Sequence, residues 1–342
     1  MMELQALELH PKILGALKKA KLCSAQKILT LSEADLHRQT KLSSNDIQHL
    51  LKETAKYVTQ SPMTTALDIH EGLCPSALKV QRISTGCKVI DEFLRGGVRS
   101  GGITEIVGES ATGKTQLCMQ LCLAVQLPLD MNGLNAGAVY ICTEDVFPSK
   151  RLHQMIQHFE KKLDSNVTKN PRLGDHIFIE HASDKEGLLQ CVTKRIPILL
   201  RRNLVKLVVV DSIAALFRGE YGLEETAKRA YHLRSLGLLL HKLSQQHNIP
   251  VICVNQVSAN MRRDSDFCRY DVIPALGLTW SNLVTSRLLL SRTSMTIDSS
   301  DGTSSTQSKC VVRTLQAIFA SYLPKDICYY VINSHGVQGL AA

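Results

Sequence analysis

Residues 108–115 read Gly-Glu-Ser-Ala-Thr-Gly-Lys-Thr, a GxxxxGK[ST] segment. Before it, Ile103-Thr104-Glu105-Ile106-Val107 has the pattern of a short buried strand, and after it Gln116 to Val125 has that of a helix. The segment constrains the fold because it works only as the turn of a strand–turn–helix unit. Such a turn points several backbone N–H groups into one concavity at the positive end of the helix dipole. Gly108, Glu109, Ser110, Ala111, Thr112 and Gly113 then form a cradle for phosphates. Lys114 reaches the outer phosphates of a nucleotide, and the Thr115 hydroxyl is placed to ligate Mg²⁺. A nucleoside triphosphate site is expected.

The 342 residues suffice for one large domain and a small one. A hydrophobic fraction of 44% supports a proper core and argues against global disorder. Charged or polar residues interrupt every apolar stretch, so no membrane span is expected. Met1-Met2-Glu3-Leu4-Gln5 shows no basic region followed by an apolar one, so no secretory signal is expected either. The eleven cysteines are irregularly spaced and form neither a CxxC pair nor a Cys/His cluster. Free thiols in a reducing compartment fit that usage better than disulfides or zinc. A net charge of +9 permits a polyanionic partner. Residues 150–206 hold twelve Lys and Arg against six Asp and Glu, densest at Lys194, Arg195, Arg201, Arg202 and Lys206. That run suits a binding surface or a solvated helix face equally.

Three regions follow one another. Residues 1–57 predict a small helical domain of the helix-hairpin-helix kind. Apolar residues recur at helical spacing from Pro11 to Leu17, and helix starts stand at Ser32 and at Ser43 or Ser44. Residues 58–80 predict a linker punctuated by Ser61-Pro62 and Cys74-Pro75, with Met63 to Leu67 as one extended segment. From residue 81 to 342, strands at Ile103–Val107, Ala138–Cys142, Ile177–Glu180, Leu207–Val210, Val251–Val254 and Ser286–Leu290 alternate with helical stretches. That alternation predicts an α/β core with a mostly parallel sheet covered on both faces. The Ser- and Thr-rich residues 293–309 predict a loose hairpin loop.

Three strand ends carry polar groups suited to phosphoryl transfer, which needs a metal anchor, a positioned water and a γ-phosphate sensor. Leu207-Val208-Val209-Val210-Asp211 brings an acid to the carboxyl end of the sheet, where ligands bind in open α/β sheets. Asp211 can hold the hydration shell of Mg²⁺ beside Thr115. Tyr140-Ile141-Cys142-Thr143-Glu144-Asp145 ends in two acids, either of which can orient the attacking water. Val251 to Val257 ends in Asn255-Gln256, where Gln256 reads as a γ-phosphate sensor or as a turn-forming amide.

GESATGKTQ, VYICTED, LVVVDSIAALFR and VICVNQV, in that order, resemble the RecA-like recombinases of eukaryotes and archaea. The resemblance covers nearly the whole chain, and the Cys-Thr-Glu-Asp string and the divergent tail are most similar to a recombinase paralogue. It implies a RecA-like P-loop ATPase core behind an all-α N-terminal domain, with ATP and Mg²⁺ bound. It also implies a DNA-dependent ATPase, weak alone, working in homologous recombination in the nucleus and also the cytoplasm. The implied partners are another paralogue subunit in a heterodimer or larger complex, the main recombinase filament, and single-stranded or branched DNA. Carried over by position, the phosphate loop maps onto Gly108 to Thr115, the catalytic glutamate onto Glu144, the metal-site aspartate onto Asp211 and the sensor onto Gln256. A subunit-docking strand of Phe-x-x-Ala spacing maps onto Met63 and Ala66, with methionine in the aromatic place. Pro324 resembles the tail proline that covers a neighbouring subunit's nucleotide.

The DNA loops depart from the family. In place of a Gly-Arg-Gly segment stands Glu220-Tyr221-Gly222-Leu223-Glu224-Glu225, whose carboxylates repel phosphates. Arg218, Arg229, Arg262 and Arg263 are the remaining candidate contacts, and Lys228 and Arg269 stand near them. Asp264, Asp266 and Asp271 dilute the second loop. An intact nucleotide constellation with eroded DNA loops favours an assisting subunit over a self-sufficient strand-exchange enzyme. A structural nucleotide site in an interaction subunit is the other alternative.

Overall fold

The computed structural model describes residues 9–22, 24–58, 64–75, 78–162, 172–218, 223–259, 272–299 and 308–341. It divides into two compact units, Met1–Lys79 and Val80–Ala342.

The first unit holds five helices among the described residues: α1 (Pro11–Lys19), α2 (Ala25–Thr30), α3 (Glu33–Thr40), α4 (Ser44–Val58) and α5 (Ala66–His70). Their starts follow local chemistry. Pro11 occupies the first turn of α1, where a missing N–H costs nothing. The Ser32 hydroxyl accepts the Asp35 N–H at 3.1 Å, and that of Ser43 accepts the Asp46 N–H at 3.2 Å. Leu17, Ile28, Leu36, Ile47 and Leu50 close a core of their own.

The linker differs from the extended segment expected over Met63–Leu67. Ala66 and Leu67 lie in the first turn of α5, and Met63 is outside the described residues. The reason is a capping box: Thr65 Oγ1 accepts the Asp68 N–H at 3.1 Å, while Asp68 Oδ2 accepts the Thr65 N–H at 3.1 Å. Two otherwise orphaned donors are satisfied reciprocally, which favours helix over strand from Ala66 onward.

The second unit is built on a nine-stranded sheet, flanked by two short ladders. In chain order its elements are β1 (Arg82–Ile83), α6 (Lys88–Phe93), β2 (Val98–Arg99), β3 (Ile103–Gly108), α7 (Lys114–Ala124), β4 (Gly137–Cys142), α8 (Ser149–Lys162) and β5 (Ile177–His181). Next come α9 (Lys185–Gln190), α10 (Ile196–Arg201), β6 (Val205–Asp211), α11 (Ala215–Arg218), α12 (Thr226–His247), β7 (Val251–Asn255), β8 (Val257–Ala259), β9 (Val272–Pro274) and α13 (Gly277–Ser281). The chain finishes with β10 (Ser286–Ser299), β11 (Ser308–Ala320), β12 (Ile327–Asn333) and β13 (Gly336–Gly339). All six expected strands are present, each longer by at least one residue. Strand order across the sheet is β13-β12-β11-β10-β3-β7-β6-β4-β5, parallel from β10 to β5 and antiparallel through β11, β12 and β13.

β3, β4 and β7 are buried along their whole length, as strands covered on both faces must be. Alternate residues serve different cores. Ala138, Tyr140, Leu207 and Val209 join the core around α7, whereas Val139, Ile141, Val208 and Val210 join the one under α12. The Ser- and Thr-rich region corrects another expectation. Residues 296–299 pair with 308–311 in a β10–β11 hairpin and 293–295 form an irregularity within β10, whereas residues 300–307 of the expected loop lie outside the described residues. Hydroxylated β-branched residues suit an exposed pleat, which the loop reading overlooked.

Candidate nucleotide site

β3 ends at Gly108 and α7 starts at Lys114, so the phosphate loop is the turn between them. Gly113 precedes the helix at φ +100°, and a Cβ there would collide with Ile332 of β12. No other residue fits that conformation at so close an approach. Ala111 has φ +60°, and its carbonyl accepts from Arg313 Nε at 3.3 Å. The Tyr330 hydroxyl donates to the Thr112 carbonyl at 2.6 Å. β11 and β12 therefore brace the loop from behind, a support that nothing local in the sequence announces.

Lys114 folds back over the loop. Its Nζ donates to the Gly108 carbonyl at 2.8 Å and to the Glu109 carbonyl at 2.7 Å. Burial lowers its pKa from the usual 10.5, opposed by the attraction of Asp211 and Glu144. Below it, Thr115 Oγ1 donates to Asp211 Oδ2 at 2.7 Å. The Tyr140 hydroxyl donates to the same oxygen at 2.5 Å, and burial pushes its pKa far up, so it stays a donor. Glu144 Oε1 accepts from Ser212 Oγ at 2.8 Å and from Gln256 Nε2. Asp145 lies beside it in the cleft. The ends of β4 and β6 are locked together, since Thr143 Oγ1 donates to the Ser212 carbonyl and accepts the Ser212 N–H at 2.8 Å, and the Gln256–Glu144 bond ties in the end of β7.

These groups line one cleft of about 460 Å³, walled by the phosphate loop, Glu144, Asp145, Asp211, Ser212 and Gln256. The donor set fits magnesium ATP. A partly desolvated ammonium sits on loop carbonyls at the amino end of α7, and a hydroxyl and a carboxylate meet at hydrogen-bond distance. Among the described residues no three His, Cys, Asp or Glu gather around a metal position. Mg²⁺ asks for no such cage, because it keeps waters and takes one or two protein oxygens plus phosphates.

A second polar constellation was not anticipated. Glu105 on β3 is fully buried and accepts from Asn255 Nδ2 at 2.7 Å, Trp280 Nε1 at 2.9 Å and Arg287 Nε. Arg287 also donates to Ser281 Oγ at 2.9 Å. A buried carboxylate persists only when so paired. Asn255 in turn accepts the Gln256 N–H at 2.8 Å, so this network sets the backbone that carries Gln256.

The remaining candidates lie apart. β10 runs parallel to β3 and antiparallel to β11, with Ser286 beside both Thr104 and Ala320. The turn after β11 thus stands where β3 begins, and the phosphate loop stands where β3 ends. Pro324, exposed in that turn, is at the far end of the sheet from this chain's own cleft. Arg229 Nε donates to the Phe217 carbonyl at 2.8 Å, and Lys228 pairs with Glu225 at 3.0 Å. The Arg218 side chain, Arg262 and Arg263 lie outside the described residues, and the β8–β9 ladder closes the base of the second loop.

Fold and cleft together define a P-loop nucleotide-binding protein of the RecA-like class. The Rad51 family model matches residues 77–339, and the model described as XRCC3/RpoA-like, helix-hairpin-helix domain, matches residues 4–58. DNA repair protein XRCC3 of Bos taurus is 45% identical over 99% of this chain and 98% of its own length. DNA repair protein XRCC3 of Mus musculus is 43% identical over the same shares. DNA repair protein rhp57 of Schizosaccharomyces pombe is 34% identical over 77% of this chain and 80% of its own. The chain belongs to the Rad51 family, as a recombinase paralogue.

Proposed function

We propose that the chain is an ATP-binding subunit of a hetero-oligomer that assists the main recombinase in homologous-recombination repair of double-strand breaks and crosslinks. The carrying observation is the cleft itself, where Lys114, Thr115, Asp211, Glu144 and Gln256 converge in a Rad51-family chain. The relatives are named as DNA repair proteins, which supports work on DNA in the nucleus; single-stranded or branched DNA as the substrate and a further cytoplasmic pool belong to the same proposal.

Bound magnesium ATP supplies the phosphoanhydride to be cleaved, and the ion neutralises charge developing on the phosphate oxygens. Backbone N–H groups from Glu109 to Lys114 hold the phosphates, and Lys114 exchanges two loop carbonyls for phosphate oxygens. Thr115 and Asp211, which meet at 2.7 Å, would hold the ion. Tyr140 keeps Asp211 turned toward Thr115. Glu144 is the acceptor for the proton of the attacking water, and its bonds to Ser212 and Gln256 fix its orientation. Gln256 is tied to Glu144 on one side and sits at the mouth of the second loop on the other, which suits a sensor. The resulting DNA-dependent ATPase is weak alone.

Docking runs through the linker, with Met63 and Ala66 as the contact pair. Leu67 at 62% and Ile69 at 48% exposure present apolar surface on α5. A methionine fills irregular apolar pockets readily. Pro324 lies remote from its own cleft, which supports a role in covering a neighbouring subunit's nucleotide. Replacing Lys114 by Ala tests the reading. ATP affinity and repair of crosslinks should both fall, by about tenfold or more in affinity for the loss of one charge-assisted contact. Full repair by a variant that no longer binds ATP would leave only a structural pocket.

A further inference from the structure

Three arginines meet without an acid at the end of the sheet opposite the nucleotide cleft. Arg82 and Arg99 stand directly across from each other in the β1–β2 ladder. Like charges in that relation destabilise a strand pair. Both guanidinium carbons lie 5.3 Å from the centroid of the Tyr322 ring, which partly offsets the repulsion. Arg95 is exposed just after α6, at φ +54°. Burial, Arg99 and Arg95 all act to lower the Arg82 pKa, with only Tyr322 opposing them.

The nearby acids are engaged elsewhere. Asp91 takes the Ser84 and Thr85 hydroxyls at 2.5 and 2.8 Å, Glu92 faces Lys88 at 3.9 Å, and Asp326 accepts its neighbouring Ile327 N–H at 2.8 Å. No carboxylate among the described residues lies within 4.0 Å of the three arginines. The basic run at residues 194–206 is different, since Arg195 there is joined to Glu180. A cluster of one sign, fixed by an aromatic ring and left without a counter-ion, has the form of a site for an external anion. Guanidinium forks match phosphate oxygens two at a time.

We propose that Arg82 and Arg99, which flank Tyr322, together with Arg95 beside Arg82, form a contact surface for the phosphate backbone of nucleic acid, separate from the two loops at the cleft end. The proposal rests on the reading of the chain as a subunit that works on DNA. The surface contributes affinity without sequence preference and holds a strand at the face where Pro324 also lies.

The test uses the full chain with its co-purifying subunit and a labelled oligo-dT, titrated over a salt series. Arg95→Gln/Arg99→Gln should weaken binding several-fold and flatten the salt slope by about 1.4, at about 0.7 per lost contact on a single strand. Arg95→Lys/Arg99→Lys should retain the slope. If the double glutamine variant does not fold, Arg95→Gln alone should still flatten the slope by about 0.7. Arg202→Gln, in the other basic run, is the net-charge control for the single variant Arg95→Gln. A glutamine variant with the parental slope overturns the surface while leaving the DNA reading intact. An equal loss in Arg202→Gln also overturns it, because net charge alone then explains the effect. A parent complex that binds no oligo-dT overturns both.

Discussion

The nucleotide cleft and the described residues around the start of α12, next to the candidate first DNA loop, use their charges in opposite ways. In the cleft, among the described residues, Lys114 is bonded only to loop carbonyls, which a phosphate can replace, while Asp211 and Glu144 are oriented by neutral donors. At the first loop, Lys228 is paired with Glu225 and Arg229 is tied to the Phe217 carbonyl. One region keeps its charges available for a ligand, and the other turns them inward on its own chain. The contrast supports a subunit whose triphosphate chemistry governs assembly, with DNA held mainly by the complex as a whole.

The largest effect expected from breaking the contrast lies behind the cleft. Glu105→Ala strands Arg287 in the core and leaves Asn255 and Trp280 without their acceptor, for a loss of about 3–5 kcal/mol in chemical denaturation. A loss below about 1 kcal/mol would mean that the network does not support the Gln256 strand end. Next is Glu144→Gln, which keeps the side-chain size but removes the proton acceptor. Turnover should fall about a hundredfold with nucleotide affinity retained. Unchanged turnover would transfer the role to Asp145.

On the loop side the effects are smaller. Arg229→Ala should lower stability by about 1–2 kcal/mol, one charge-assisted bond to a carbonyl, while DNA affinity changes little. A large drop in affinity with stability intact would show that the arginine serves DNA after all. The smallest effect is one of pH. Phosphates favour the ammonium form of Lys114, whose pKa in the free protein lies below 10.5. ATP affinity is therefore highest below that lowered pKa and declines as pH rises through it, earlier than an exposed lysine would allow. Calorimetric titration between neutral and alkaline pH reads the decline, and a flat profile to pH 10.5 would contradict a desolvated Lys114.

What the sequence made legible was local. The phosphate loop, the six apolar runs and the acids at their ends each carry their signal within a few residues. Contacts between distant segments carried none. Glu105 and Trp280 are 175 residues apart, and Tyr330 lies 218 residues from the Thr112 carbonyl it braces. Glu105 read simply as a polar residue in a buried strand. Thr65-x-x-Asp68 carries the α5 capping box in the sequence, but the loss of helical periodicity over residues 58–80 points to an extended segment there. The β10–β11 hairpin was obscured by its Ser-rich composition, although alternation continued through it.

Affinity purification of the full chain, parental and Lys114→Ala, with and without magnesium ATP, tests the central claim most directly. The account predicts that a second Rad51-family subunit co-purifies with the parent in an ATP-dependent amount. It also predicts that Lys114→Ala abolishes that dependence. Equal recovery of the subunit from both chains under both conditions would contradict it.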